Sequence, residues 1–172
     1  MQAYEYRFVK NFDASDESRD ILVRKLYSFK SPRSHQTYFV WVDRCVNNIY
    51  VVKFHLKSHR LSPRKYNILT NLREPRNVLY TCVNILINEI YAKDKTASFG
   101  LVAANLEGET PKNTKRLRFY ERFIASVIGT EEFKHYKYEE KSAYIIVPKI
   151  ALAKKQDLLE CYSQMFNRYS FF

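Results

Sequence analysis

Glycine, proline and cysteine are all scarce in this sequence. Its 172 residues include three glycines, five prolines and three cysteines. With so few chain breakers there is no low-complexity linker, and this length suits one domain. The cysteines are isolated, odd in number and without C-x-x-C spacing, so we expect small buried side chains in a reducing compartment. We therefore expect a cytoplasmic protein.

Long apolar runs and metal-ligand clusters are also missing. No run approaches the ~20 residues that span a bilayer, and the charged, alternating N-terminus does not resemble a signal peptide. A basic amphipathic helix for a membrane surface is not evident either, so we expect no membrane partner. His55 and His59 are four residues apart but fall in a strand-to-loop stretch, where this spacing does not bring side chains together. We expect no metal site.

Positive charge is what the sequence has in excess, with a formal net charge of +11 at pH 7. Basic segment 53–76 contains Lys53, Lys57, Arg60, Arg64, Lys65, Arg73 and Arg76 against Glu74, and basic segment 112–122 contains Lys112, Lys115, Arg116, Arg118 and Arg122 against Glu121. They contribute +6 and +4, which is +10 of the +11. Concentrated charge indicates a polyanionic partner, a phosphorylated cofactor or nucleic acid, more strongly than evenly spread charge does. A solvated basic face is the alternative.

Alternating and β-branched residues predict the strands. The predicted strands are 4–9, 37–43, 49–56, 97–104, 133–138 and 143–147. Asn47-Asn48 is predicted to join the second and third into a hairpin, because Asn tolerates positive φ. The apolar run 97–104 is typical of a central strand covered on both faces.

Apolar residues at spacings of three and four predict the helices. The predicted helices are 16–29, after N-cap residues near Ser15; 75–91, opened by Pro75; 111–128, with Gly129 as a C-cap residue; and a C-terminal helix, 150–167. Residues 66–72 fit either a short strand or a turn. This order predicts one α/β domain over residues 1–172, with a mixed, mostly antiparallel sheet flanked by helices.

The segment Asn113-Thr-Lys-Arg-Leu-Arg-Phe-Tyr120-Glu121 carries the most specific motif. With the order of elements, it resembles the GNAT-type acyl-CoA N-acyltransferases, in which an Asn often opens the helix after the central strand and a Tyr follows seven residues later. The resemblance implies that Asn113 hydrogen-bonds the pantetheine arm of acetyl-CoA or the residues around that arm. It also implies that Tyr120 is a general acid for the leaving thiolate. A Tyr buried in the core is the structural alternative.

The same resemblance assigns the phosphates and the acceptor. The family binds the pyrophosphate with an R/Q-x-x-G-x-G/A turn, and the matching residues 71–76 contain no glycine. Arg73 and Arg76 would substitute side-chain contacts, and Lys115 and Arg116 would face the same phosphates. Glu107 and Glu109, in the loop after the central strand, are the candidate bases for an amine acceptor, unless they are simply solvated.

A non-catalytic protein on the same fold is the second hypothesis. It would bind nucleic acid or a partner through its basic surface, and its phosphate contacts would be Arg60, Arg64, Lys65, Lys115, Arg116 and Arg118. Tyr66 and Phe119 would stack on bases. The glycine-free turn favours this hypothesis, and the Asn113–Tyr120 pair favours the enzyme.

Overall fold

A computed structural model describes residues 1–14, 18–68 and 70–168. The strands are β1 (Tyr6–Asp13), β2 (Ile21–Lys30), β3 (Thr37–Cys45), β4 (Ile49–Leu56), β5 (Ser98–Val102), β6 (Phe133–Tyr138) and β7 (Ala143–Pro148). The helices are α1 (Pro75–Ile85), α2 (Lys115–Val127), α3 (Lys149–Lys154) and α4 (Leu158–Arg168), and α1 continues into a π-helical turn, Leu86–Tyr91.

One open sheet holds all seven of these strands, in the order β1-β2-β3-β4-β5-β7-β6. Neighbouring strands are antiparallel except β4 and β5, which are parallel. The crossover between the parallel strands contains α1, as such a connection requires. The predicted fold class, a mixed and mostly antiparallel sheet flanked by helices, is therefore confirmed.

Helices cover the sheet on both faces. On one face α1 and α2 pack on a core that includes Val52, Phe99 and Leu101. On the other face α4 packs on Val51 and its neighbours. At Gly100 a Cβ atom would lie 3.2 Å from Cζ of Phe166, so the glycine permits this close approach of α4. β5 is consequently buried along its whole length, as its apolar sequence predicts.

The hairpin prediction is also confirmed. β3 and β4 pair from Tyr38–Leu56 to Cys45–Ile49, and the connection places Asn47 and Asn48 at φ values of 58° and 56°. The strands at the N-terminus and near the C-terminus form as β1, β6 and β7, and α1 begins at Pro75 as predicted.

The predicted helix 16–29 is wrong over its described part, because residues 21–30 form β2 between β1 and β3. Two features imitate helical spacing. A bulge between Ile21 and Val23 breaks the alternation, and residues 26–29 are buried on both faces of the sheet. Residues 15–17, where the N-cap was predicted, lie outside the described residues.

Smaller differences concern where the helices begin and end. α2 begins at Lys115, four residues later than predicted, and Ile128 caps it in an extended conformation, without the predicted role for Gly129. The C-terminal helix is interrupted between α3 and α4. Residues 66–67 form a turn, and residues 68 and 70–72 are neither helix nor strand, so the short-strand alternative is wrong over the described part of 66–72. In the described chain, no helix is long and apolar enough to span a membrane.

Candidate functional site

The candidate site is a cavity of about 400 Å³ where β4 and β5 stop pairing. Their last registered pair is Val52–Leu101, but β4 continues to Leu56. Beyond that pair, α1, α2 and the loop formed by residues 65–68 and 70–73 surround the gap. Pairing therefore ends at the carboxyl ends of two parallel strands, the place where α/β sheets usually bind ligands.

The cavity lining is largely apolar and includes five basic side chains. Its apolar side chains include Phe54, Leu56, Ile68, Leu72, Val78, Val102, Ala104, Leu106 and Phe119. Its basic side chains are Lys53, Lys65 and Arg73 from one basic segment and Lys115 and Arg116 from the other. The two basic segments, distant in sequence, thus reach one cavity. An apolar interior with a few polar groups is typical of a ligand site.

Tyr120 lies in this cavity. It is on the buried face of α2 and is 7% exposed. Burial raises the pKa of its hydroxyl, and nearby Arg116 opposes that shift. The hydroxyl forms no hydrogen bond with any residue that the structure describes. Tyr120 therefore lines the cavity with a protonated hydroxyl, which the raised pKa makes a weaker acid than a tyrosine in water.

Asn113 is placed differently from the expectation. It precedes α2 with a left-handed φ of 47°, so it does not open the helix and does not share a helix face with Tyr120. Thr114 is the N-cap, and its hydroxyl accepts the Leu117 N–H at 3.1 Å. The side-chain oxygen of Asn113 is buried without a hydrogen bond in the described structure, but Asn113 does not line the cavity.

Arg116 holds the loop over the cavity. Its guanidinium donates hydrogen bonds to the backbone carbonyls of Tyr66, Ile68 (3.0 Å) and Ala104 (3.5 Å). The side chain thus ties the loop to α2 and to the end of β5. Lys115, the other predicted phosphate ligand on this helix, is exposed at the rim.

The two predicted bases do not line the cavity. Glu109 accepts the backbone N–H groups of Lys115 (2.7 Å) and Leu106 (3.0 Å). Partial burial opposes the shift, but these hydrogen bonds and the neighbouring cations lower the pKa of Glu109. Glu107 is exposed and lies 3.8 Å from Arg64. Glu109 therefore stabilises the start of α2, where an anion complements the helix dipole.

A buried carboxylate that sequence reasoning did not select, Glu74, lines the cavity at the N-terminus of α1. Four hydroxyl groups donate to it, from Tyr4 (2.9 Å), Ser31 (2.5 Å), Ser34 (2.6 Å) and Tyr38 (3.0 Å). Burial alone would raise the pKa of Glu74, but these hydrogen bonds lower it. The only sequence signal was an acid directly before a helix-opening proline.

The start of α1 does not reproduce the glycine turn of the resemblance. Left-handed φ values occur at Asn71 (55°) and Arg73 (52°). These two residues are two positions apart, as the glycines of the family's turn are. They lie three residues before positions 74 and 76, where the alignment places those glycines. Pro75 offers no N–H, and the Glu74 carboxylate lies beside the helix end. A phosphate group at this helix end would therefore have to be bound by side chains and not by backbone N–H groups. Of the two predicted arginines, Arg73 lines the cavity and Arg76 does not.

The residues that the nucleic-acid hypothesis selected do not form one surface, since some lie outside the cavity and others line it. Arg60, Arg64 and Arg118 are exposed and outside the cavity, whereas Lys65 and Tyr66 line it. The ring of Tyr66 packs edge-on against His55 at 5.2 Å, and the Nζ atoms of two lysines lie within 5.5 Å of its centroid.

Phe119, the other predicted stacking ring, packs on Phe123 at 6.0 Å. Both half-buried rings therefore pack on neighbouring side chains in the wall of the cavity.

Lys53 shows that the charge counted from the sequence exceeds the positive charge that can bind a partner. It is 5% exposed, and its Nζ atom lies 3.3 Å from Oδ2 of the buried Asp43. Burial lowers the pKa of Lys53, and the Asp43 carboxylate opposes that shift. This pair could not be predicted, because the two residues meet only through the β3–β4 register.

Comparison of the chain with protein-family models, with curated proteins and with solved structures found no match. In the described residues, no group of three or more His, Cys, Asp and Glu side chains is arranged to hold a metal ion. The cavity and its chemistry are therefore the basis for any functional conclusion.

Proposed function

We propose that the protein binds an acyl-CoA thioester, with acetyl-CoA as the simplest case, and transfers the acyl group to an amine. The observation that carries this proposal is the position of Tyr120, a protonated tyrosine in the lining of a mostly apolar cavity where β4 and β5 stop pairing. A volume of about 400 Å³ suits a pantetheine arm and a short acyl group.

The protein's own groups divide the work as follows. Apolar side chains such as Leu56 and Ala104 would contact the arm and exclude water. Tyr120 would donate its proton to the thiolate as the C–S bond breaks. Arg73 and Lys115 at the rim, with Arg76 nearby, would bind the phosphates through side chains, since the start of α1 offers few free N–H groups.

Both an acyl-CoA pool and three free cysteines fit a reducing compartment. We therefore propose a cytoplasmic location.

The substitution Tyr120→Phe tests the proposal. We expect transfer from acetyl-CoA to a simple primary amine to slow by ~10²-fold or more, the range for loss of a general acid. Acetyl-CoA affinity should change little, because the ring remains. Release of free thiol measures the rate, and calorimetry measures the affinity.

Tyr80→Phe is the matched control, because Tyr80 is a half-buried tyrosine on α1 that does not line the cavity. Equal turnover by wild type and the Tyr120 variant would remove this residue from the mechanism.

Binding of nucleic acid is the alternative, and salt separates the two. Contacts to six phosphates would weaken affinity by ~10³-fold between about 50 and 200 mM salt. A thioester arm buried in the cavity should depend on salt much less. Tyr66 and Phe119 line the cavity instead of standing on an exposed face, which favours the cofactor.

A further inference from the structure

Helix α4 covers only part of its face of the sheet. It packs on Val51 of β4 and Cys45 of β3. The strand registers place Phe39 and Trp41 of β3, and Phe12 of β1, on the same face. These three rings belong neither to the core beneath α4 nor to the core beneath α1 and α2. This part of the sheet therefore presents aromatic side chains that lie outside both cores.

The three rings and the cations around them form one surface, here named the aromatic face. Its side chains are Arg7, Lys10, Phe12, Phe39, Trp41 and Lys57. Phe12 is 37% exposed, and Phe39 and Trp41 are half-buried. The ring centroids of Phe12 and Trp41 are 5.3 Å apart, although β2 separates their strands. Phe39 lies two residues from Trp41 on the same strand face, so the rings form one cluster.

The orientation of Trp41 is fixed by a hydrogen bond. Its indole N–H donates to Nε2 of the buried His55 at 3.1 Å. Nδ1 of His55 lies 2.8 Å from the Leu56 carbonyl oxygen, so Nδ1 carries the ring proton and Nε2 is the acceptor. The ring of Phe39 packs edge-on against His55 at 5.9 Å. The rings are thus in place before a ligand binds, which reduces the entropic cost of binding.

Cations stand between and beside the rings. Nζ of Lys10 lies 5.2 Å from the centroid of Phe12, and Nζ of Lys57 lies 5.8 Å from that of Phe39. Both lysines and Arg7 are exposed. None of the three forms an ion pair with a carboxylate of the described residues. Their positive charge is therefore available to an anionic ligand.

Exposed carboxylates are missing from this side of β1–β4, strands that the structure describes in full. Asp43 is the one acid that these strands direct to this side, and it is fully buried with its Oδ2 atom 3.3 Å from Nζ of Lys53. Asp13 follows Phe12 and so points to the opposite side. Aromatic rings with interspersed cations on an open antiparallel sheet suit unpaired bases and their phosphates.

We infer that the aromatic face binds single-stranded nucleic acid, with bases stacked on its rings and phosphates at its cations. This inference does not depend on the proposed acyl transfer, because no side chain of the aromatic face lines the cavity. Its residues also differ from those that the sequence-based hypothesis selected. Stacking tolerates any base, so the face should bind with little sequence preference.

Fluorescence tests this inference directly, because Trp41 is the only tryptophan in the sequence. The probes are eight-nucleotide strands of thymidine (DNA) and uridine (RNA), and an abasic DNA strand with the same phosphates. We expect thymidine, uridine or both strands to quench Trp41 and to bind at least ~10-fold more tightly than the abasic strand. Equal binding of the abasic strand, or no quenching by either base-bearing strand, would overturn the inference.

Substitution of one ring locates the strand. Phe12→Leu should weaken binding of a labelled thymidine strand by at least ~5-fold, measured by fluorescence anisotropy. Phe8→Leu is the matched control, since Phe8 is 52% exposed on β1 but packs on Tyr27 at the opposite side of the sheet. Melting of both variants confirms that they fold. An equal loss in the two variants, or undiminished binding by Phe12→Leu, would contradict stacking on this face.

Competition separates the aromatic face from the cavity. Acetyl-CoA at a concentration that saturates the cavity should leave the affinity for the thymidine strand unchanged. Displacement of the strand by acetyl-CoA would assign the strand to the cavity and overturn the inference. Quenching by the thymidine strand in a protein that fails to bind acetyl-CoA would refute the proposed transfer and support the aromatic face as a separate site.

Discussion

The carboxylate of Glu74 is 3% exposed, and hydroxyl groups donate all the hydrogen bonds that it accepts from described residues. These donors come from the N-terminal segment (Tyr4), the β2–β3 connection (Ser31, Ser34) and β3 (Tyr38). A carboxylate can accept about four hydrogen bonds, so its capacity is filled. Glu74 therefore joins three parts of the chain at the start of α1.

Substitution of Glu74 by Gln should destabilise the protein. The amide NH₂ would face hydroxyl donors, and we expect the free energy of unfolding at pH 7 to fall by about 1–3 kcal/mol. Urea denaturation measures this loss. Glu5→Gln, the same change at an exposed residue, should lie within ~0.5 kcal/mol of wild type.

The destabilisation should depend on pH. The pKa of Glu74 in the folded protein is below its ordinary value of 4.5, so its ionised form stabilises the fold above about pH 4.5. That stabilisation is lost as pH falls through the folded pKa. The difference between wild type and Glu74→Gln should therefore narrow in acid. If the difference in the free energy of unfolding stays constant from pH 7 to pH 3, the claim that the ionised carboxylate of Glu74 stabilises the fold is contradicted.

At the scale of elements, the loop 65–68 owes its position to one side chain of α2. We expect Arg116→Gln to free this loop from the cavity, because hydrogen bonds from charged donors contribute about 1.5–3 kcal/mol each. Hydrogen exchange at residues 65–68 should accelerate while the strands keep their protection. Arg122→Gln is the control, since Arg122 bonds only within its own helix among the described residues. Unchanged exchange in the loop would show that Arg116 does not hold it.

Local sequence predicted the elements where burial and periodicity agree. β4 alternates between two faces, α1 follows a helix-opening proline, and β5 is uniformly apolar, so each was predicted correctly. β2 was not, because burial on both faces and a bulge gave its apolar residues helical spacing. Its position between two strands is a tertiary property that the segment alone does not encode.

The candidate site was predictable only in part, for the same reason. The spacing from the start of α2 led to Tyr120, which does line the cavity. The cage around Glu74, the Lys53–Asp43 pair and the bonds of Arg116 join residues up to 70 positions apart. Such contacts depend on sheet order and loop packing. Arg116 and Glu109, selected for their charge, consequently proved to be engaged with the backbone.

For the whole molecule, the account depends on one cavity at the end of the β4–β5 pairing that two distant basic segments reach. The substitution Ala104→Phe fills this space, because Ala104 is 4% exposed and lines the cavity. Ala125→Phe adds the same group at an exposed position of α2. Melting of each variant without ligand confirms that it folds.

Calorimetric titration with acetyl-CoA tests the account most directly, with ATP as a polyanion that has the adenine and phosphates but no pantetheine arm. We predict that acetyl-CoA binds wild type and Ala125→Phe with similar affinity, and binds Ala104→Phe at least ~10-fold more weakly than wild type. Wild type should bind acetyl-CoA more tightly than it binds ATP. At 100 times its Kd it should add about 2.7 kcal/mol to the free energy of unfolding. Equal affinity for ATP, or undiminished acetyl-CoA binding by Ala104→Phe, would contradict a thioester site in this cavity.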